Sequence, residues 1–539
     1  MKISASPEIK NKLVPYILFP MMIGILTGAL IFLFKISSSA VMRWSERLYG
    51  AVREAPIYLP LLILGALCLG ILVALILKAA KECRGGGIPT AVASIRGLIP
   101  IRWVQGVFVL FGSALLTYFA GVPLGNEGPS VQMGAAVGEG SSCLAGKNRL
   151  AFKRYLMTSG ASSGFAIATG APLTGIMFAL EEAHRRFSTA IFMVASISVL
   201  FGTVTQRILS FCFGVSPGLF GHAVTQDLPG RYLWAPIIIG VVCGACSLLF
   251  TRLYRAIGRL SKIKGGRAPF TLKVVVIFVA TAILGFFSTR FIGTGHALIE
   301  EILSGKVVWY TILLAFFVRA LLMLCANKTG ISGGIFVPNL AFGAMVASLV
   351  SEGLVALGLL DGAYYAILVV VGMASFLAAS SRTPITAVAF AAEALCVSSN
   401  ILPVILGVTV SYIAAEILDK KSYTETVIES RAEAAHRGKE AVIVYSHMTV
   451  QKGAYADGMQ MRDILWPPTC AVLSIDRNRS RAVRHGVDEL REGDELHLHY
   501  QTYDPEQTMQ MLTAILGEQP ESLKMRSHLG SAEHLVPLD

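Results

Sequence analysis

The sequence predicts a polytopic all-α membrane protein with a small α+β domain at its C-terminal end. Hydrophobic residues make up 54% of the 539 residues and charged residues only 15%, whereas soluble proteins carry about 25% charged residues. Uncharged runs at residues 14–34, 59–77 and 232–251 are each long enough to cross about 30 Å of hydrocarbon. After about residue 440 these runs give way to shorter segments, which indicates a separate domain. Its sequence predicts strands in "EAVIVYSHMTV", "TCAVLSIDR" and "ELHLHYQT", a short helix in "MQMRDIL" and a final helix in "DPEQTMQMLTAIL".

The N-terminal segment, residues 1–12, is polar and has no signal-peptide cleavage pattern, so the first apolar run is expected to be a retained span. The net charge is +12. Basic residues at the ends of the membrane region, which covers residues 13–432, predict that both termini face the cytosol of a cell (inner) membrane. Nucleic acid is disfavoured as a partner because the basic residues are spread among loops.

The membrane region divides into two halves, residues 14–206 and 232–417, joined by a polar linker rich in glycine and proline. The first half contains the interruptions "GGGIP", "GNEGP" and "TGAPLTG", and the second contains "GIFVP" and "SSRTPITA". Paired interruptions of this kind are typical of inverted-repeat transporters.

Three of the interruptions, at residues 85–89, 125–129 and 334–338, each predict a helix start inside the bilayer, because proline suits a first helical turn. A helix start leaves amide groups without partners, which lipid cannot satisfy, and it carries about half a positive charge. Several starts that converge would form an anion site. The alternative is that glycine and proline only kink these helices.

Glu127 is the one carboxylate within these three motifs. When ionised it is itself an anion and can occupy the site that neighbouring amides create, and when protonated it has no reason to stay there. An intramembrane carboxylate is a candidate functional group by default, so we expect Glu127 to gate anions and carry a proton. The alternative is a simple helix cap.

The motifs "GGGIP", "GNEGPSVQMG", "APLTGIMFALEE", "GGIFVPNLAFGA" and "KSYTETV" follow one another in this order. Together they resemble the CLC chloride channels and chloride/proton antiporters over about residues 13–430. The resemblance implies an inverted-repeat fold of broken, tilted helices. It also implies a homodimer with one anion pathway per subunit, in which chloride or a similar anion and protons are the transported species.

The resemblance also implies the roles of individual residues. Glu127 corresponds to the external gating glutamate and Glu182 to the internal proton-transfer glutamate, which favours exchange over passive conduction. The alternative for Glu181 and Glu182 is a solvated helix end in which an acid pairs with Arg185 or Arg186. Tyr423 would donate to the central anion, or else be an interfacial aromatic anchor. The implied anion-binding residues are Gly86, Gly87, Ile88, Ile335, Phe336 and Tyr423.

Two positions depart from the family pattern. The family usually has serine where this chain has Gly86, so a hydroxyl donor is lost and the preferred anion stays open. The residue before the gating acid is commonly basic, and here it is Asn126, which predicts a weaker attraction for anions at the outer pathway.

The C-terminal segment, residues 440–539, resembles the TrkA-C (RCK-C) domains of potassium-uptake regulators, through its strand, basic turn and "LREGDEL" sequence. Such domains dimerise and bind small ligands, including cyclic dinucleotides. A cytosolic nucleotide is therefore a candidate ligand here, and a solvated hairpin turn is the alternative. The basic residues that could meet a phosphate are Arg477, Arg479, Arg481, Arg484 and His485.

Three functions remain from the sequence: an anion/proton antiporter, a passive anion channel of the same fold, and a transporter whose tail senses a small molecule. An enzyme is not indicated, since no nucleophile-and-base grouping occurs. The nine cysteines are scattered, no metal-ligand spacing is present, and no cofactor is predicted.

Overall fold

The computed structural model of the chain describes residues 14–216, 218–220, 226–263, 269–395, 397, 400–477, 480–482, 486–517 and 523–527. The polar segment 1–12 and part of the linker between the halves lie outside these ranges. The chain packs as two compact units. The first comprises the chain up to Ile95, Pro100–Ser141 and Leu156–Arg431, and the second comprises Arg96–Ile99, Ser142–Tyr155 and the chain from Ala432 onward.

The first half of the membrane region forms eight α-helices within the described residues. The apolar segment 155–180 is not one span, because Gly170 adopts φ +69° and Pro172 then starts a new helix. The helices are α1 Phe19–Glu54, α2 Leu59–Ala79, α3 Ile88–Ile95, α4 Trp103–Phe119, α5 Glu127–Ser142, α6 Arg149–Thr169, α7 Pro172–Phe178 and α8 Thr189–Phe213.

The second half repeats this order of helices. Its third helix has eight residues, as does α3, and its seventh helix starts at Pro384 as α7 starts at Pro172. The helices are α9 Trp234–Ile263, α10 Phe270–Phe287, α11 His296–Leu303, α12 Trp309–Thr329, α13 Phe336–Ala356, α14 Tyr365–Ser381, α15 Pro384–Ala394 and α16 Ile401–Leu418.

Packing between the helices follows the same repeat. Helix α1 packs along α8 in the first half, and α9 packs along α16 in the second. Equivalent helices also meet across the halves, with α2 against α10 and α7 against α15. Nine helices among the described residues are long and apolar enough to cross a membrane. The short helix α3 is buried along its whole length, as interrupted backbone in a membrane protein must be.

Helix α17, Tyr423–Ala435, follows the second half. The C-terminal segment then forms an antiparallel sheet of five strands in the order β3-β2-β4-β1-β5. Its strands are β1 Val442–Thr449, β2 Ala471–Arg477, β3 Ser480–Ala482, β4 Glu495–Thr502 and β5 Leu523–Ser527. Strands β1 and β4 alternate buried and more exposed residues, so one face of the sheet forms the domain core.

Helix α18, Pro505–Leu516, begins at a cap in which Asp504 accepts a hydrogen bond from the Gln507 amide. The predicted strands in "EAVIVYSHMTV", "TCAVLSIDR" and "ELHLHYQT" correspond to β1, β2 and β4, and the predicted final helix corresponds to α18. The short helix expected in "MQMRDIL" is a single 3₁₀ turn, Met461–Asp463.

Candidate anion site

Three helices begin at the glycine- and proline-containing motifs, as their sequences indicate. Helix α3 begins at Ile88, α5 at Glu127 and α13 at Phe336. Each start places a proline within its first turn, where the missing N–H costs no hydrogen bond. Ile335, immediately before α13, makes no side-chain cap hydrogen bond, so the amide groups of that first turn are left to other acceptors.

Backbone hydrogen bonds join the three starts to one another. Gly125 and Gly334 exchange both of their backbone hydrogen bonds, with N···O distances of 2.7 and 2.6 Å. The Gly333 amide donates to the Gly86 carbonyl at 2.9 Å. Each of these contacts connects the first half of the chain to the second.

Glycine is required where the three starts touch. A Cβ atom built on Gly128 would lie 2.6 Å from the Cα of Gly334 and 2.7 Å from the Cα of Gly87. Both distances are shorter than side chains tolerate, and both obstructing atoms belong to backbone. The starts of α3, α5 and α13 therefore converge on one buried point.

Apolar side chains enclose this point. Ile88, Ile335 and Phe336 are all buried, with exposed fractions of 4%, 4% and 3%. The Phe336 ring packs edge-on against Phe165 and Phe390, each with ring centroids 5.0 Å apart. Water is largely excluded, so partial charges on the helix starts act in a medium of low dielectric constant.

Glu127 lies at this point and is completely buried. Its side chain folds back over Gly125, and the backbone amide of Val337 in the first turn of α13 interacts with the carboxylate. Within the described part of the chain, however, neither carboxylate oxygen makes a hydrogen bond of standard geometry. The neighbouring Tyr118 hydroxyl donates to the Gly125 carbonyl at 2.8 Å instead. Glu127 is thus held by weak contacts with its own amide and the amide of Val337, in the field of the helix starts.

Glu181 and Glu393 are held in the opposite way. Glu181 accepts hydrogen bonds from the Ile385 amide and from the amide and hydroxyl of Thr386, at 2.7–2.9 Å, and so caps α15. Glu393 caps α7 in the same manner through Leu173 and Thr174. Each glutamate lies nine residues after the first proline of its own helix, so the two halves cap each other reciprocally.

This arrangement differs from the solvated helix end that was one interpretation of the two adjacent acids. Glu181 binds α15, and Arg185 instead pairs with Glu425 at 2.9 Å. Glu182 is 7% exposed and lies in a π-helical turn, Ala179–Ala183. A buried acid at this position fits the proton-transfer role that the resemblance implies.

Tyr423 is buried, with an exposed fraction of 1%. Its hydroxyl has no hydrogen-bond partner among the described residues, and its ring packs edge-on against Tyr254 with centroids 5.3 Å apart. Burial of this kind does not suit an interfacial anchor. Arg431, on the same helix α17, donates to the Asn327 carbonyl at 2.6 Å and lies against Gly85, so α17 packs on the first glycine loop.

At Gly86, the position where the family usually has serine, neighbouring side chains fill the space. A Cβ atom there would collide with the Leu110 side chain and lie 3.4 Å from Oε1 of Gln132. The Gln132 oxygen is itself buried and has no hydrogen-bond partner among the residues that the structure describes. The site therefore has backbone donors here and no room for a hydroxymethyl group unless Leu110 moves.

Lys35 is a charged residue near the site that the sequence interpretation missed. It lies in the middle of α1, is 9% exposed, and interacts electrostatically with Glu127. Its ammonium group donates to the Gly218 carbonyl at 3.3 Å. On the same helix, Ser38 accepts from Asn126 at 3.4 Å, so this face of α1 lies against the loop before Glu127. A lysine in the middle of an apolar helix is the sequence feature that could have identified Lys35 as a candidate.

The proposed ligand residues of the tail are only partly described. Arg479, Arg484 and His485 lie outside the described residues, and for Arg481 only the backbone, in β3, is described. Arg477 donates from Nε and Nη2 to the two carboxylate oxygens of the buried Asp494, both at 2.5 Å, and this hydrogen bonding raises the pKa of Arg477 above its ordinary value. Its guanidinium therefore serves as a structural ion pair in this domain.

Two matched halves, with interrupted helices aimed at one buried point, define a membrane protein of the repeat-built transporter class. A family described as "Voltage gated chloride channel" matches residues 68–416. The chain therefore belongs to the voltage gated chloride channel (CLC) family, as its motifs predicted.

Individual relatives agree with this assignment. Over 424 residues, the chain is 28% identical to the H(+)/Cl(-) exchange transporter ClcA of Cronobacter sakazakii. The aligned region covers 76% of this chain and 89% of that protein. The fold is similar to a slow cyanobacterial Cl⁻/H⁺ antiporter, with a TM-score of 0.69, 23% identity, and coverage of 78% of this chain and 99% of that one.

Two further solved structures share the fold. A CLC-type fluoride/proton antiporter has a TM-score of 0.62 at 20% identity, covering 77% of this chain and 98% of that one. A eukaryotic CLC transporter has a TM-score of 0.64 at 17% identity, and the match covers 84% of this chain and 78% of that one. The predicted inverted-repeat helical fold with a small C-terminal domain is confirmed.

Proposed function

We propose that this protein is an anion/proton antiporter, with chloride as the leading candidate anion. The observation that carries the proposal is the buried carboxylate of Glu127, which lies among three converging helix starts. No described residue makes a hydrogen bond of standard geometry to either of its oxygens. A group that occupies an anion site without being bonded into it can leave when it is protonated.

The anion would bind to backbone donors at the helix starts and to one side-chain hydroxyl. The proposed set is Gly86, Gly87, Ile88, Ile335, Phe336 and Tyr423. Partial charges on amides and helix dipoles attract an anion without the tight hold of a full cation, and rapid passage requires that binding be weak enough for release. The unpartnered Tyr423 hydroxyl supports its assignment as a donor.

Two carboxylates would carry the proton. Glu127 alternates between an ionised state, in which it competes with the anion, and a protonated state, in which it withdraws. Glu182, buried in its π-helical turn, would exchange protons on the internal side. Lys35 would supply the positive field near Glu127 that Asn126, in place of a basic residue, does not supply.

Relatives support coupled transport and leave the anion to be tested. One relative is named an H(+)/Cl(-) exchange transporter, and solved structures of this fold include both a Cl⁻/H⁺ antiporter and a fluoride/proton antiporter. Because this chain has Gly86 and not serine, chloride, nitrate and fluoride should be compared directly.

Flux through purified protein in sealed vesicles tests the proposal. An outward chloride gradient should drive protons uphill in an antiporter, whereas a passive channel moves chloride without moving protons against their gradient. Chloride flux with no proton movement would establish the channel alternative. Substituting nitrate or fluoride for chloride, with pH recorded, then ranks the anions.

The remaining features of the proposal concern assembly and the tail. We propose a homodimer in the cell membrane with both termini in the cytosol, and a TrkA-C-like tail that modulates transport by binding a nucleotide. Transport by the full-length protein should then respond to added nucleotides. No response to any nucleotide, with transport intact, would leave the tail without this role.

A further inference from the structure

Histidines and acids gather on the exposed face of the C-terminal sheet. His447 of β1 lies directly opposite His497 of β4, and Glu495 lies two residues before His497 on the same face. One potential ligand atom from each of these three residues lies within 4.8 Å of the others. The Nδ1 atom of His447 is 3.9 Å from a Glu495 oxygen, and the two imidazole rings lie edge to face at 4.2 Å.

Two imidazoles and one carboxylate form a common ligand set for zinc, with water in the fourth position. In a tetrahedral zinc site with bonds of about 2.0–2.1 Å, ligand atoms lie about 3.4 Å apart. The three groups need to approach only slightly to reach that spacing. His447 and Glu495 are about half exposed, at 47% and 50% of their side chains, so their torsions are free to adjust.

Asp476 supplies a carboxylate beside one of the two histidines, as is usual in metal sites. It lies opposite Glu495 on β2, and its carboxylate contacts Nε2 of His497 at 3.0 Å. Metal-binding histidines usually direct their other ring nitrogen to a carboxylate, which fixes the ring and strengthens the ligand. A zinc ion bound through Nδ1 of His497 would leave the contact between Nε2 and Asp476 intact.

The backbone under these residues is well supported. Strands β1 and β4 are central in the sheet, and their opposite face packs into the domain core through Val444, Met448, Leu496 and Leu498. Ligands mounted on paired central strands keep their spacing. Sequence spacing could not reveal this cluster, because its two histidines are separated by almost fifty residues of chain.

We propose that His447, Glu495 and His497 form a surface site for zinc or a similar imidazole-preferring divalent cation, with Asp476 as the positioning carboxylate. The site lies on the tail, and it is independent of the transport function proposed above. Zinc binds deprotonated ligands, so its binding should be weaker at acidic pH.

Zinc binding to the purified full-length protein tests this directly. After chelator treatment, equilibrium dialysis against zinc should find one high-affinity zinc per chain. His447→Ala and His497→Ala should each raise the dissociation constant by about tenfold or more. Asp476→Asn should raise it by a smaller factor, as loss of an outer carboxylate does. Cobalt(II) should give the intense visible bands of a tetrahedral site, and these should vanish in the double histidine variant.

His436→Ala is the matched control, because His436 stacks on Tyr503 with centroids 4.2 Å apart and does not belong to the cluster. Its zinc affinity should equal that of the unmodified protein. Equal zinc affinity in the unmodified protein and the double variant His447→Ala/His497→Ala would overturn the proposal, as would no binding by either. Thermal unfolding of each variant separates loss of metal from loss of fold.

Discussion

Glu127 and the pair Glu181/Glu393 are carboxylates set against helix amino ends in the same unit, but they are bound differently. Glu181 and Glu393 each accept three hydrogen bonds from a first helical turn. Glu127 makes none of standard geometry and is fully buried. A saturated carboxylate fixes a helix, whereas an unsaturated one in the same field is free to be displaced by another anion. Glu181 and Glu393 therefore have a structural role, whereas Glu127 is the candidate gate.

The largest effect is expected where the converging backbones touch. Gly128→Ala places a Cβ atom against the Cα atoms of Gly334 and Gly87, so the three helix starts must separate. Transport should be lost and the protein should be poorly folded. Gly112→Ala is the control, since nothing lies within 4 Å of a Cβ there and alanine favours a helix over glycine. Normal transport by Gly128→Ala would show that the convergence is not needed.

Glu127→Gln should remove coupling without removing stability. Glutamine has nearly the same shape but does not titrate, so proton movement driven by a chloride gradient should fall to background. Because no standard hydrogen bond to a described residue is broken and a buried charge is removed, the free energy of unfolding should not fall. Proton uptake and thermal unfolding measure the two properties. Retained proton coupling would remove Glu127 from the mechanism.

Glu181→Ala and Glu393→Ala should give the reverse result. Each removes the side-chain acceptor that caps a helix, and loss of a helix N-cap costs about 0.5–2 kcal/mol, so a loss of stability of about 2 kcal/mol is expected. The two losses should be similar because the caps are equivalent. Thermal unfolding in detergent provides the measurement. An unchanged melting temperature in both variants would contradict a structural role.

Lys35→Met tests the source of the positive field near Glu127. Methionine keeps the length of the side chain and removes its charge, so the chloride concentration needed for half-maximal flux should rise several-fold. Lys35→Arg keeps the charge and should restore most of the affinity. If Lys35→Met and the unmodified protein show the same chloride dependence, the field at Glu127 comes from elsewhere.

Tyr423→Phe should give the smallest effect. It removes one hydroxyl and leaves the ring against Tyr254, so the expected loss is one hydrogen bond, about 1 kcal/mol. That corresponds to roughly fivefold weaker anion binding, measurable by calorimetry. Since no described residue forms a hydrogen bond with this hydroxyl, stability should not fall. A fall in stability without a change in anion affinity would show that the hydroxyl has a structural role only.

Much of the membrane unit could be predicted from sequence because the signals are local. The apolar runs predicted the spans, and the motifs at residues 85–89, 125–129 and 334–338 predicted three helix starts that the structure contains. The reciprocal caps of Glu181 and Glu393 could not be predicted, since each partner lies some two hundred residues away. The adjacent arginines suggested that these acids pair locally. In the fold, Glu181 instead binds the first turn of α15.

The sequence by itself determined that the chain lies in a membrane and where its helices begin, because hydropathy, glycine and proline act over one helical turn or one span. Only the tertiary structure decided which charged groups meet. Lys35 comes to Glu127 from α1, and His447 comes to His497 across a strand pair. Electrostatic and metal-ligand interactions depend on distance in space, and the chain brings together residues that no local pattern links.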